Sequence, residues 1–482
     1  MTTQSRTVLL RIAVSLALLL AVLLLALWIK PPDILRVGAN YSAKIICSNV
    51  FLAGRDPEEV LRSDVQAPGI ALLRLMHVSV DREQHVVRAG LLGFIGDGLA
   101  VARPGVGCAA VPDGDLDFAT HAGIAAPRAV MSVSSTASVA AAPAGAEAST
   151  AAGASVLWPD GNTVATTNAL DRVLADDSLA GPGMRAIVVV EHGRIVAERY
   201  TAGFSAATPL LGWSMTKSVL AGIVGMLINE GRLTLDQPAG WPATGDGGDK
   251  IRIADLLAMS SGLRFNEAYG VVSDVTRMLY LERDAAGFAR AQPLLHPPGS
   301  VWSYSSGSAN ILSRIAQDAA GSLAAAYPAE KLFKPLGMSS ATMETDEYGT
   351  LVGSSYMYAT ARDWARYGQF LAQDGIWRGQ EMLPRGYVAM MATPAAASGG
   401  QYGQGLVWLW GTDALQAGKN PDADYGIPAD TFWLEGHDGQ SMAVIRSREL
   451  VIVRLGLTPS SLHYQPDSLV KAILDVTGQS RY

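Results

Sequence analysis

A serine followed three positions later by a lysine, in Gly212-Trp213-Ser214-Met215-Thr216-Lys217, opens a run whose apolar residues Leu220, Ile223, Val224 and Leu227 recur at helical spacing until Gly231. Positions three apart share a helix face, so the amine of Lys217 can reach the hydroxyl of Ser214. A serine hydroxyl is a poor nucleophile until a base takes its proton, and a lysine is a base only when uncharged. Burial and the positive end of the helix dipole both disfavour the ammonium form, and the same dipole favours negative charge developing beside Ser214. The chemistry these residues suit is acyl transfer through a covalent intermediate. Ser-x-x-Lys alone is a weak signal, because Ser468-Leu-Val-Lys471 matches it too and reads as an ordinary helix start near the C-terminus.

Two later segments strengthen the first. Trp302-Ser303-Tyr304-Ser305-Ser306-Gly307 follows the turn-forming Pro297-Pro298-Gly299, and Glu435-Gly436-His437-Asp438-Gly439-Gln440 precedes a β-like run. In this order of motifs the chain resembles the class C β-lactamase-like serine hydrolases, which include D-alanyl-D-alanine peptidases, esterases and 6-aminohexanoate-dimer hydrolases. The resemblance runs over residues 157–482, and stretches 253–263 and 358–363 fit it as well. It implies an α+β fold of the β-lactamase/transpeptidase type, a central antiparallel sheet flanked by helices with a helical subdomain. It also implies that Tyr304 carries the proton to the leaving group, and that the backbone amides of Ser214 and Gln440 form the oxyanion hole. Tyr269 matches a substrate-contacting tyrosine of the nylon-oligomer hydrolases. Trp302 reads as core rather than substrate wall.

The pattern departs from the β-lactamases at two places. His437-Asp438-Gly439 stands where they carry Lys-Thr-Gly, and a histidine, mostly neutral at pH 7, attracts a substrate carboxylate less than lysine does. Ser306 replaces an asparagine that would hold an acylamino side chain. With Tyr269, Ser306, His437, Asp438 and Gly439 as substrate contacts, the expectation is a serine hydrolase of small esters or linear amides. The alternatives are a β-lactamase or D-alanyl-D-alanine carboxypeptidase, and a membrane-anchored binding protein of the same fold that does not turn over. An α/β-hydrolase would need Gly-x-Ser-x-Gly around its nucleophile, which Ser214 lacks. No His-Glu-x-x-His occurs, and the chemistry calls for neither metal nor cofactor. A net charge of -7 offers no basic face for nucleic acid. The oligomeric state is not legible.

These residues need elements to hold them. Residues 185–191 and 194–200, joined through His192-Gly193, read as a hairpin, as do 441–446 and 450–457, with 424–432 loop-like and helices in between. Upstream, residues 12–29 form an apolar run broken only by Ser15, long enough to reach across a bilayer core of about 30 Å. We read it as an uncleaved signal anchor, with a cleaved signal peptide and a buried helix as alternatives. Flanking charges nearly balance, with Arg6 and Arg11 on one side and Lys30 and Arg36 on the other. The division expected is a cytoplasmic tail (1–11), the membrane helix (12–29), a small membrane-proximal module (30–115), an Ala/Ser/Gly/Pro-rich linker (116–156) and the hydrolase domain (157–482). Cys47 and Cys108, the chain's two cysteines, both lie in the small module. A disulfide between them would fit an inner-membrane, single-pass protein with its catalytic domain on the periplasmic or extracellular side. Two free thiols are the alternative.

Overall fold

In the computed structural model, residues 3–67, 70–122, 164–241, 247–411 and 420–477 are described. Most of the expected linker, including 139–145, lies outside them. The principal elements are helices α1 (Thr3–Ile29) and α2 (Asp33–Phe51), strands β1 (Met76–Asp81), β2 (Val86–Leu91), β3 (Ile95–Arg103) and β4 (Gly107–Ala110), helix α3 (Asn168–Ala175), strands β5 (Met184–Glu191) and β6 (Arg194–Tyr200), helices α4 (Met215–Asn229), α5 (Ser306–Ala320) and α6 (Ala361–Ala372), strands β7 (Thr431–Gly436), β8 (Gln440–Ile445) and β9 (Leu450–Gly456), and helix α7 (Asp467–Thr477).

The central sheet is antiparallel in the order β7-β8-β9-β5-β6. Strands from the two ends of the hydrolase region meet at its middle, with Val453 opposite Val188. Alternation sorts the side chains to two faces. Val188, Val190, Val451 and Val453 face the large core that also holds α4 and α6, whereas Ile187, Val189, Leu450 and Ile452 face a smaller core under α3 and α7. Both faces are therefore apolar and covered. Residues 424–432 are not all loop: Thr431 and Phe432 open β7, which pairs with β8 through Phe432 opposite Val444. Without alternation to betray it, a buried strand beginning beside a turn reads as loop.

Residues 33–110 form a second layer. The strands β1 to β4 make a four-stranded antiparallel sheet, and α2 packs so closely on β3 that a Cβ on Gly98 would stand 2.2 Å from the carbonyl oxygen of Ala39. A disulfide joins Cys47 on α2 to Cys108 on β4. This layer is bolted to the hydrolase region by buried polar contacts. Lys44 pairs with Glu344, both almost fully buried, and Glu344 also accepts hydrogen bonds from Ser48 Oγ at 2.9 Å and from the Cys108 amide at 2.7 Å. Asp64 receives the guanidinium groups of both Arg55 and Arg185. Helix α1 precedes this layer; its 21-residue stretch Leu9–Ile29 reaches a mean hydropathy of 3.0 in an 18-residue window and is long and apolar enough to cross a membrane.

Candidate active site

Ser214 sits at the start of α4, where a serine ordinarily caps the helix by accepting a backbone N–H. Here its side chain makes no capping bond. The hydroxyl instead lies 2.9 Å from Nζ of Lys217, which donates to it. The residue before it, Trp213, has φ 47°, a left-handed backbone that costs a bulky residue on the order of 1–3 kcal/mol. Packing offsets that cost, since Trp213 is buried against Tyr356 and His437. The sharp turn leaves Ser214 partly accessible at the head of an otherwise buried helix.

Lys217 is 1% exposed. Besides Ser214 it donates to the carbonyl of Ser354 at 2.8 Å and to Ser306 Oγ at 3.1 Å. Burial is the main influence on its ammonium and pushes its pKa down to about 8, against an opposing pull from the Glu267 carboxylate. A lysine so placed is partly neutral near neutral pH, as a base must be.

Tyr304 reaches the pair from the loop before α5. Its ring centroid lies 4.8 Å from Nζ of Lys217, and its phenol is near enough to Ser214 for that hydroxyl to lower its pKa slightly against the larger effects. Burial first, and Glu267 second, hold that phenol well above its ordinary range. It is therefore a protonated phenol at neutral pH. The ring is fixed by stacking on Trp408 at 5.3 Å and by the edge contact with Tyr402 at 5.9 Å. Trp302 contacts the same two rings, so it supports the wall that orients Tyr304.

The remaining expected residues divide. Tyr269 and His437 stack at 4.7 Å beside Trp213, and Asp438, with φ 58°, pairs with His437 at 3.5 Å. Gln440 begins β8 opposite Gly436, and its side-chain amide is tied to the backbone of Gly456 on β9. Gln440 and Trp213 line the same narrow crevice. Gly439 turns the chain, and its carbonyl accepts from Arg454 at 2.8 Å. Ser306 is fully buried, with its hydroxyl taken up by Lys217 and Glu267.

Glu267 is the group that sequence reasoning passed over. Its carboxylate accepts from the Ser306 amide at 2.9 Å and from the Ser306 hydroxyl. Desolvation raises its pKa, while Lys217 and the Ser306 hydrogen bonds act the other way. The one available signal was a carboxylate two positions before Tyr269. Ser354 was equally hidden, because its contribution is a backbone carbonyl.

A sheet of this order, with a serine and lysine at the head of a buried helix and a tyrosine closing on both, defines a penicillin-recognising architecture. The chain belongs to the Beta-lactamase family, whose model matches residues 174–464. It is 26% identical over 219 residues to a 6-aminohexanoate-dimer hydrolase of Paenarthrobacter ureafaciens, a match that covers 42% of this chain and 55% of that protein. The chain thus spans about half the length of that curated relative. Among solved structures, a candidate 6-aminohexanoate-dimer hydrolase of Bacillus anthracis superposes with a TM-score of 0.52 at 24% identity, covering 64% of this chain and 82% of that one. A candidate beta-lactamase of Bacteroides dorei gives 0.50 at 19% identity, covering 65% and 99%. At these identities the likeness is one of fold.

Proposed function

We propose that this protein is a serine hydrolase that cleaves esters or linear amides through an acyl-enzyme. The observation that carries the reading is the 2.9 Å contact between Lys217 Nζ and an uncapped Ser214 Oγ. In this mechanism Ser214 Oγ attacks the substrate carbonyl carbon and Lys217 accepts its proton. The oxyanion is held by the backbone amides of Ser214 and Gln440. Tyr304 then protonates the departing alkoxide or amine and takes back the proton that Lys217 received from Ser214; water next adds to the acyl carbon and gives one proton to Ser214 Oγ as the acyl bond breaks, which releases the acid and restores all three groups. Glu267 and Ser306 position Lys217 and touch no reacting atom. The similarity to a 6-aminohexanoate-dimer hydrolase supports linear amides alongside esters. The stacked Tyr269 and His437, in place of a lysine, give a β-lactam carboxylate no fixed cation. Helix α1 serves as a membrane anchor, and the Cys47–Cys108 bond suits an oxidising, periplasm-like compartment.

The test is intact-mass detection of a fluorophosphonate adduct together with turnover of a nitrophenyl ester. Wild-type protein should be labelled once and should release many equivalents of nitrophenol. Ser214→Ala should lose both while melting at the wild-type temperature. A single burst without turnover would favour a binding protein, and nitrocefin turnover outpacing the ester would favour a β-lactamase.

A further inference from the structure

Beside the nucleophile a cavity of about 300 Å³ runs between α2 and the hydrolase region. Trp213, which precedes the nucleophile, lines it together with the expected substrate contacts Tyr269 and His437; Ile34, Val37 and Val271 line it as well, beside the polar Tyr41, Asp64 and Thr276. Ile34 and Val37 belong to the first two turns of α2. Only Lys30, Pro31 and Pro32 separate that helix from the apolar α1, so this wall lies no more than roughly 20 Å of chain from the bilayer-length segment.

The mouth is apolar as well. Ile70, Val271 and Val272 are exposed there by 43%, 52% and 37%, and Ile70 lies against the turn at Gly270. A second exposed apolar group, Leu75, Leu92 and Phe94, flanks the same end of α2: the Leu92 amide bonds to the Leu75 carbonyl at 2.9 Å, and the adjoining Gly96 packs against Leu35. Exposed apolar side chains grouped in this way mark contact with lipid or an apolar ligand.

We propose that this cavity is an acyl-chain pocket, and that the substrate is an amphiphilic ester or amide whose hydrocarbon chain enters from the bilayer interface along α2. The inference rests on Ser214 being the nucleophile and adds the substrate class. An engineered apolar cavity of about 150 Å³ holds a benzene ring, so twice that volume accommodates roughly a dozen carbon atoms. Hydrolysis consumes one water and yields the free fatty acid and the alcohol or amine.

The experiment uses the full chain in nanodiscs with nitrophenyl acetate, butyrate and octanoate. The expected result is a kcat/KM that rises at least tenfold from acetate to octanoate. Val271→Trp, a change at an exposed position that fills the mouth, should lower the octanoate-to-acetate ratio at least tenfold. Binding of 11-(dansylamino)undecanoic acid to Ser214→Ala protein, read by fluorescence and weakened tenfold by adding Val271→Trp, reports the pocket without chemistry. A flat chain-length profile in an active enzyme, or equal loss of both esters in Val271→Trp, overturns the pocket. Probe binding sensitive to Val271→Trp, with no turnover of any ester, leaves the pocket standing and instead removes Ser214 as the nucleophile.

Discussion

In the proposed mechanism Lys217 must be uncharged to accept the Ser214 proton, and the uncharged form predominates only above its pKa. With that pKa at about 8, kcat/KM should climb with pH through about 8, a limb measurable between pH 6 and 10. The Glu267 carboxylate favours the ammonium and so raises the Lys217 pKa against the larger effect of burial. Glu267→Gln should therefore move this limb to lower pH, and a limb that stays in place would separate Glu267 from the base. The same network explains what the sequence disclosed at this scale. The Ser214–Lys217 contact follows from helical spacing alone, because both residues sit on one turn. The contact of Ser306 with Lys217 and Glu267 depends on three distant segments meeting, which no local pattern encodes.

Strand β7 shows how an element delivers the site. Its last residue, Gly436, approaches the turn before Ser214 so closely that a Cβ would stand 2.1 Å from the carbonyl oxygen of Gly212. Gly436→Ala should push β7 and β8 away from that turn, cost about 1–3 kcal/mol through overpacking and lower kcat at least tenfold. Thermal melting and steady-state kinetics measure the two effects. The hairpin of β5 and β6 is legible because His192-Gly193 marks a two-residue turn between apolar runs, and both residues have positive φ. Helix α2 is not legible, because polar side chains interrupt its apolar pattern on buried faces. Asn40, Lys44, Ser48 and Asn49 are all buried and all bonded to partners that only the folded chain supplies. The edge strand β7 escaped notice for a related reason, since Thr431 to Leu434 are buried without alternation.

Across the whole molecule, the layer formed by residues 33–110 and the hydrolase region share a polar seam. Breaking a buried ion pair by removing one partner typically costs about 3–5 kcal/mol. Glu344→Ala, which strands Lys44 together with Ser48 and the Cys108 amide, should lower stability by that amount, read as a drop in denaturant midpoint. A loss within the range of a surface substitution would mean that the seam is not closed in solution. An excised hydrolase region would face the same penalty, so activity is best sought in the full chain.

The junction of β5 with β9 has a further consequence for biosynthesis. Val188-Val189-Val190 are translated more than 250 residues before the strand that pairs with them at Leu450–Gly456. At about 5–20 residues per second, that sticky edge waits for tens of seconds without its neighbour. Recombinant yield should depend on how well the nascent polypeptide is shielded during that interval.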